Sequence, residues 1–245
     1  MPNHRFDTLD ALRGLALVWM ALFHLGFDLN HFGYWKQDFY NDPFWTWQRT
    51  CILSLFLFCA GLGQAVALHQ GQSWPRFWRR WAQVAGCAVL VTAGSWWMYP
   101  GSFIRFGVLH GMAVMLVLVR LTGHWGPWLW VLGALAIGSK YLAPAVLGGS
   151  SAEAMWNSHW LNWLGWISVK PVTEDYVPVF PWIGVMWWGM AAGRLLLRAQ
   201  PAALARPWTG LPHAPAVLGR WSLSFYMLHQ PILIGLLMLV AQARA

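Results

Sequence analysis

An arginine, a histidine and a carboxylate share one face of the first apolar stretch, which runs from Leu9 to Asp28. Arg13 and His24 are 11 residues apart; on an α-helix that spacing leaves them only about 20° out of phase and about 16 Å apart along the axis. Arg13 then sits near one membrane boundary and His24 deep in the far half. Asp28 falls one turn beyond His24, at the i,i+4 spacing that brings side chains together. A carboxylate so placed can hold one imidazole tautomer and stabilise the imidazolium, which is what a general base needs. Ionisable groups inside a span cost at least about 2.5–3.5 kcal/mol each, so each one marks a candidate site. The plainer alternative is that Arg13 reaches back to the interface, Asp28 already lies in it, and His24 hydrogen-bonds a neighbouring helix.

Two more histidines fall in apolar segments. His229 lies in Phe225-Tyr226-Met227-Leu228-His229-Gln230-Pro231. Pro231 disrupts the local backbone bonding, so His229 or Gln230 serves either a site or a freed carbonyl. His110 opens a later span, and site and packing roles are equally open for it. Arg76, Arg79 and Arg80, between Trp74 and Trp81, can bind phosphates, although topology alone accounts for them. Trp156, Trp160, Trp163 and Trp166 can stack on a sugar ring or form an interfacial aromatic belt. Cys51, Cys59 and Cys87 lie in apolar stretches without a CxxC pattern, so neither a disulfide framework nor a metal site is expected.

These residues must be positioned by helices in lipid. Of 245 residues, 58% are hydrophobic and 10% charged, against roughly 25% charged in soluble proteins. The 21 tryptophans fit interfacial anchoring. The net charge of +8 is spread over loops with no basic run, which argues for topology and anionic lipid contact rather than nucleic acid. Spans of about 20 residues are expected near 10–30, 47–69, 81–98, 104–121, 127–147, 178–198 and 218–241. Turn signals at 71–75, 99–101, 123–127 and Pro201–Pro215 separate them. With the N-terminus inside, ten arginines face the cytoplasm (Arg5, Arg13, Arg76, Arg79, Arg80, Arg120, Arg194, Arg198, Arg206 and Arg220), against six cations outside (Lys36, Arg49, Arg105, Lys140, Lys170 and Arg244). Segments 31–46 and 148–177 then lie outside. The first span reads as a membrane helix, not a cleaved signal peptide. Gly107/Gly111 and Gly189/Gly193 allow close helix packing. The expected fold class is all-α, a polytopic transmembrane helical bundle of about seven spans with a cytoplasmic N-terminus, as one domain over 1–245.

Leu9-Asp10-Ala11-Leu12-Arg13-Gly14-Leu15-Ala16-Leu17 resembles the opening of the heparan-α-glucosaminide N-acetyltransferase catalytic family. Arg105–His110, Phe180-Pro181-Trp182-Ile183-Gly184 through Gly189 to Gly193-Arg194, and Ser222–His229 are similar to later patterns of that family, so the likeness spans essentially the whole chain. The Arg13-(ten residues)-His24 spacing also resembles type 3 membrane acyltransferases. The resemblance implies a multi-pass acyltransferase of the cell inner membrane. It would use cytoplasmic acetyl-CoA, with no metal, to modify a sugar-like hydroxyl or amine across the bilayer. It also implies that Arg13 serves the donor and His24 the chemistry. The family's catalytic histidine lies in its first luminal loop, where His31 is the nearest match, so His24 and His31 compete as the base and the Arg13–Asp28 spacing favours His24.

In the resulting reading, His24 takes the acceptor's proton and Asp28 orients it. Arg13, Arg79, Arg80, His110 and His229 are the candidate donor-binding residues. Direct transfer and an acetyl-histidine intermediate both remain open, and a homodimer is an admitted partner alongside lipid, acetyl-CoA and glycan. The rivals are a b-type cytochrome using His110 and His124 as haem ligands, and a small-solute transporter, for which no inverted repeat is visible.

Overall fold

The computed structural model describes residues 6–200 and 213–243. Arg5, Arg206, Arg244 and most of the Pro201–Pro215 turn lie outside the described residues. Helices occupy all seven expected positions: α1 (Asp7–His31), α2 (Pro43–His69), α3 (Trp74–Met98), α4 (Val108–Thr122), α5 (Trp128–Leu147), α7 (Val179–Ala199) and α9 (Ser222–Gln242). The short α6 (Glu153–Trp156) lies between α5 and α7, and α8 (His213–Arg220) precedes α9. Among the described residues there is no β-strand, only an isolated bridge between Phe106 and Tyr176.

Among the described residues, five segments are long and apolar enough to cross a membrane: α1, α2, α4 with the 3-10 turn that extends it to Trp125, α5 and α9. The remaining two, α3 and α7, are as long but less apolar. Trp74, Trp78, Trp81, Trp96 and Trp97 lie in α3 and Trp182, Trp187 and Trp188 in α7, and an indole prefers the interface to the hydrocarbon centre. Start signals explain several boundaries. Pro43 opens α2, and Pro75 sits in the first turn of α3, where its missing N–H costs nothing.

The chain divides into two compact units. The first comprises residues 1–59 and 200–245, the second 60–199. In the first, α1 packs on α8 and α9. Gly14 and Gly219 make the α1–α8 approach: a Cβ on Gly14 would fall 2.6 Å from the Pro215 carbonyl carbon, and one on Gly219 2.7 Å from that of Asp10. Leu17, Met20 and Ile52 form a core with Trp19, Phe23, Phe56, Phe225 and Tyr226 around it. Segment 31–46 carries an aromatic cluster of its own, with Phe39 stacked on Trp45 at 4.1 Å.

In the second unit α5 packs on α7, and α4 on α3 and α7. Gly193 meets Ala65, where an added Cβ would lie 2.7 Å away. Of the small-residue pairs, Gly189/Gly193 does serve helix packing, Gly189 facing Gly61 of α2. Gly107 and Gly111 instead make room for Asp175 and the Val177 carbonyl in the segment before α7.

Candidate active site

The first unit gathers a polar cluster inside its apolar helices. His24 on α1 and His229 on α9 face each other with ring centres 5.1 Å apart. One turn along, Asp28 Oδ1 accepts a hydrogen bond from Gln230 Nε2 at 2.9 Å. Both contacts come from periodicity: His24 and Asp28 are four apart on α1, and His229 and Gln230 are consecutive on α9, so the two helices meet along a short polar seam.

The hydrogen-bond inventory fixes one tautomer. His229 Nδ1 lies 2.7 Å from the carbonyl oxygen of Tyr226, and a carbonyl can only accept. Nδ1 therefore carries the proton, and in the neutral ring Nε2 is left as a lone-pair acceptor. That Nε2 is buried with no partner among the described residues, as are Asp28 Oδ2 and Gln230 Oε1. Three orphaned acceptors on adjacent residues are costly, at about 1–3 kcal/mol each for a buried unsatisfied group. Such a cluster suits a ligand that brings O–H or N–H donors.

The arrangement differs from the sequence expectation in one respect. Asp28 was expected to hold His24, but its bonded oxygen is taken by Gln230 instead. The i,i+4 spacing permits the His24–Asp28 pair, yet the α9 amide competes for the same carboxylate. The group that meets His24 is His229, which no local pattern in α1 could reveal. The only signal was the string His229-Gln230-Pro231 within an apolar segment. Pro231 does not recruit the imidazole to the Met227 carbonyl that its missing N–H frees; His229 bonds Tyr226, one residue earlier. His31 ends α1, exposed, its ring against Phe32 at 5.7 Å.

At the other end of α1, Arg13 Nη1 pairs with Asp10 at 3.2 Å. Arg220, at the end of α8, bonds Asp7 at 3.0 Å and approaches Asp10 at 3.9 Å. Arg13 thus belongs to a four-residue ion network; from the sequence alone, Arg220 counted only for topology and Asp10 only for the family likeness, and Asp7 had no role.

The remaining candidates belong to the second unit. His110 has both ring nitrogens engaged: the Gly107 N–H donates to Nδ1 at 3.3 Å, and Nε2 lies 3.0 Å from the Thr92 hydroxyl, which bonds the Ile104 carbonyl. This caps α4, and haem ligation would have to break it. Arg79 and Arg80 are exposed on α3. In segment 148–177, Trp160 is 85% exposed and Trp156 and Trp166 lie 6.1 Å apart. A carboxylate outside the spans, Glu153, is held below its ordinary range by the Ser168 hydroxyl and the Gly149 amide.

A family model described as heparan-alpha-glucosaminide N-acetyltransferase, catalytic, matches residues 5–231. No curated protein and no solved structure matches the chain.

Proposed function

The chain belongs to the heparan-alpha-glucosaminide N-acetyltransferase catalytic family, an acetyltransferase family, and from that premise we propose that it moves an acetyl group from cytoplasmic acetyl-CoA to a sugar-like hydroxyl or amine on the far side of a membrane. The observation that carries this reading is the acceptor-rich cluster around His24. Two of its orphaned atoms, Asp28 Oδ2 and Gln230 Oε1, call for hydroxyl or amine hydrogens, which sugars supply in number.

In this reading, His24 is the general base. It is less buried than His229, so its ring is the one that meets the acceptor. Each ring nitrogen lies about 1 Å from its ring centre, so a turn of His24 brings the facing nitrogens near the roughly 2.6–3.2 Å of a hydrogen bond. His24 N–H then donates to His229 Nε2, which fixes the His24 tautomer with its lone pair toward the acceptor. His229 fills the positioning role first given to Asp28, while Asp28 and Gln230 hold acceptor hydroxyls. As the acceptor oxygen or nitrogen bonds the thioester carbonyl carbon, its proton passes to His24. The tetrahedral intermediate then collapses, the C–S bond breaks, and the CoA thiolate leaves and takes up a proton. Arg13 is a donor-side cation whose geometry Asp10 sets. The N-terminus is cytoplasmic on the Lys/Arg bias, and the 31–46 segment borders the acceptor entrance.

The test is acceptor-dependent release of the CoA thiol by the purified protein in lipid, with acetyl-CoA and a glucosamine-terminated acceptor. Wild type should release thiol only with both substrates, and His24→Ala should lose about 10²–10⁴ in rate while His31→Ala stays near wild type. Thiol release unaffected by His24→Ala refutes the assignment, and no acceptor-dependent release from a folded protein with amine or hydroxyl sugars refutes the reaction.

A further inference from the structure

The second unit contains a cavity of about 410 Å³ lined by Ala65, Leu68, His69, Arg120, Gly123, His124, Arg194, Leu197 and Arg198. Its volume is in the range of small-molecule sites, about 300–1,000 Å³. Five of those side chains are arginine or histidine and none is acidic. The three acids of this unit are committed elsewhere. Glu153 bonds Ser168 and Gly149, Glu174 accepts from Ser102, and Asp175 accepts from the Val108 amide. Among the described residues no salt bridge involves these arginines, so they have no carboxylate counter-charge there.

Helix capping accounts for part of this arrangement. Arginine near a helix C-terminus satisfies final carbonyls and complements the dipole, and Arg194 bonds the Gly123 carbonyl at the end of α4. Arg120 bonds the side chain and carbonyl of Gln72 and lies over Trp74 and Phe77, at 5.3 and 5.5 Å from the ring centres. Those bonds use only some of the five N–H donors on each guanidinium. Arg198 and His69 also sit in the last turns of α7 and α2, where they face the helix dipole, but neither they nor His124 caps a carbonyl among the described residues. All three are exposed, line the cavity and have no hydrogen-bond or ion-pair partner among the described residues.

We propose that this cavity binds a phosphate-bearing anion, a phosphomonoester or diphosphate, with Arg198 and His124 as direct contacts and Arg120 and Arg194 as pre-positioned guanidiniums. Guanidinium groups held by a second bond offer a fixed fork, the geometry that recognises phosphate oxygens with two parallel hydrogen bonds. The anion is either a soluble phosphate compound or the headgroup of an anionic lipid. The site stands whether or not the first unit transfers acetyl groups, because its test reads binding rather than turnover.

The probe is inorganic pyrophosphate, titrated by calorimetry against the full chain in phosphatidylcholine nanodiscs, then in nanodiscs containing phosphatidylglycerol. Saturable, salt-sensitive binding is expected. Arg198→Gln and His124→Gln should each weaken it by about ten-fold or more, since charge-assisted bonds are among the stronger ones, while Arg198→Lys keeps part of the affinity. Lys140→Gln, an equal charge loss on exposed α5 outside the cavity, should leave it within about two-fold. Weaker pyrophosphate binding in phosphatidylglycerol identifies the lipid headgroup as occupant, and so does phosphatidylglycerol stabilisation lost in Arg198→Gln; unchanged binding identifies a soluble phosphate. The proposal is overturned if Lys140→Gln weakens binding as much as Arg198→Gln. It is also overturned if pyrophosphate gives no saturable heat and phosphatidylglycerol no Arg198-dependent stabilisation.

Discussion

His229→Asn separates what the second histidine does for the fold from what it does for the reaction. The amide nitrogen of Asn takes the place of Nδ1, so it can keep the bond to the Tyr226 carbonyl, which is 2.7 Å long in the native chain. Only Nε2 and its side of the ring disappear. The stability cost is then confined to ring packing against His24 at 5.1 Å, Tyr226 at 5.8 Å and Phe225 at 5.9 Å, roughly 1–3 kcal/mol by analogy with large-to-small core changes. His229→Ala also loses the hydrogen bond and should cost about 0.5–1.5 kcal/mol more. If Nε2 holds the tautomer of His24, acetyl transfer by His229→Asn should fall about 10²–10⁴-fold, or about 2.7–5.4 kcal/mol of transition-state stabilisation. Groups acting as one unit are strongly non-additive, so the His24→Ala/His229→Asn double variant should be no slower than the worse single variant. The assay is acceptor-dependent thiol release at saturating acetyl-CoA, normalised to folded protein by size exclusion. A His229→Asn protein that folds and turns over within about three-fold of wild type refutes the pairing, and so does a double variant whose losses multiply.

Gly219→Ala should lower the melting temperature markedly, because its Cβ would lie 2.7 Å from the Asp10 carbonyl carbon, a backbone neighbour that cannot swing away; overpacking of this kind costs typically about 1–3 kcal/mol. Gly86→Ala on α3 meets nothing within 4 Å and should be neutral or stabilising by up to about 1 kcal/mol; equal melting temperatures for the two variants would contradict the α1–α8 contact. Asp38 accepts from the Asn41 side chain and from the Asn41 and Tyr40 amides, which hold its carboxyl below the ordinary 3.8. A depressed pKa contributes stability that is fully present above the unfolded value and is lost as pH falls through the folded one. Exchange protection of the Tyr40 and Asn41 amides should therefore drop below about pH 4, a dependence that Asp38→Asn should remove.

The helical class was legible from the sequence because lipid imposes it. Backbone groups in hydrocarbon must be bonded within the segment, so apolar runs of about 20 residues can be read without knowing any partner. All seven expected positions hold helices, and five of these among the described residues, α1, α2, α4, α5 and α9, are long and apolar enough to cross a membrane. The boundaries that differ follow local rules: α2 begins at Pro43 and α3 at Trp74, and the latter takes Arg76, Arg79 and Arg80 into its first turns. The family likeness was also readable from strings such as Leu9–Leu17. Within one helix, spacing placed Arg13, His24 and Asp28 on a common face.

The tertiary structure decided which of those groups meet. Helical periodicity allows Asp28 to reach His24 but says nothing of Gln230, which lies 202 residues away and takes the carboxylate. The His24–His229 pair, the Arg220 bridge to Asp7 and Asp10, and the close α1–α8 contact through Gly14 and Gly219 all join segments remote in sequence. The basic cavity of the second unit is of the same kind, drawing His69, Arg120, His124, Arg194 and Arg198 from the ends of three helices and a turn. The sequence alone assigned those arginines to membrane topology, because a single helix end gives a cation no ligand to share. Spacing along one helix is fixed by its geometry, whereas a partner on another helix depends on how their side chains pack, and no periodicity encodes that.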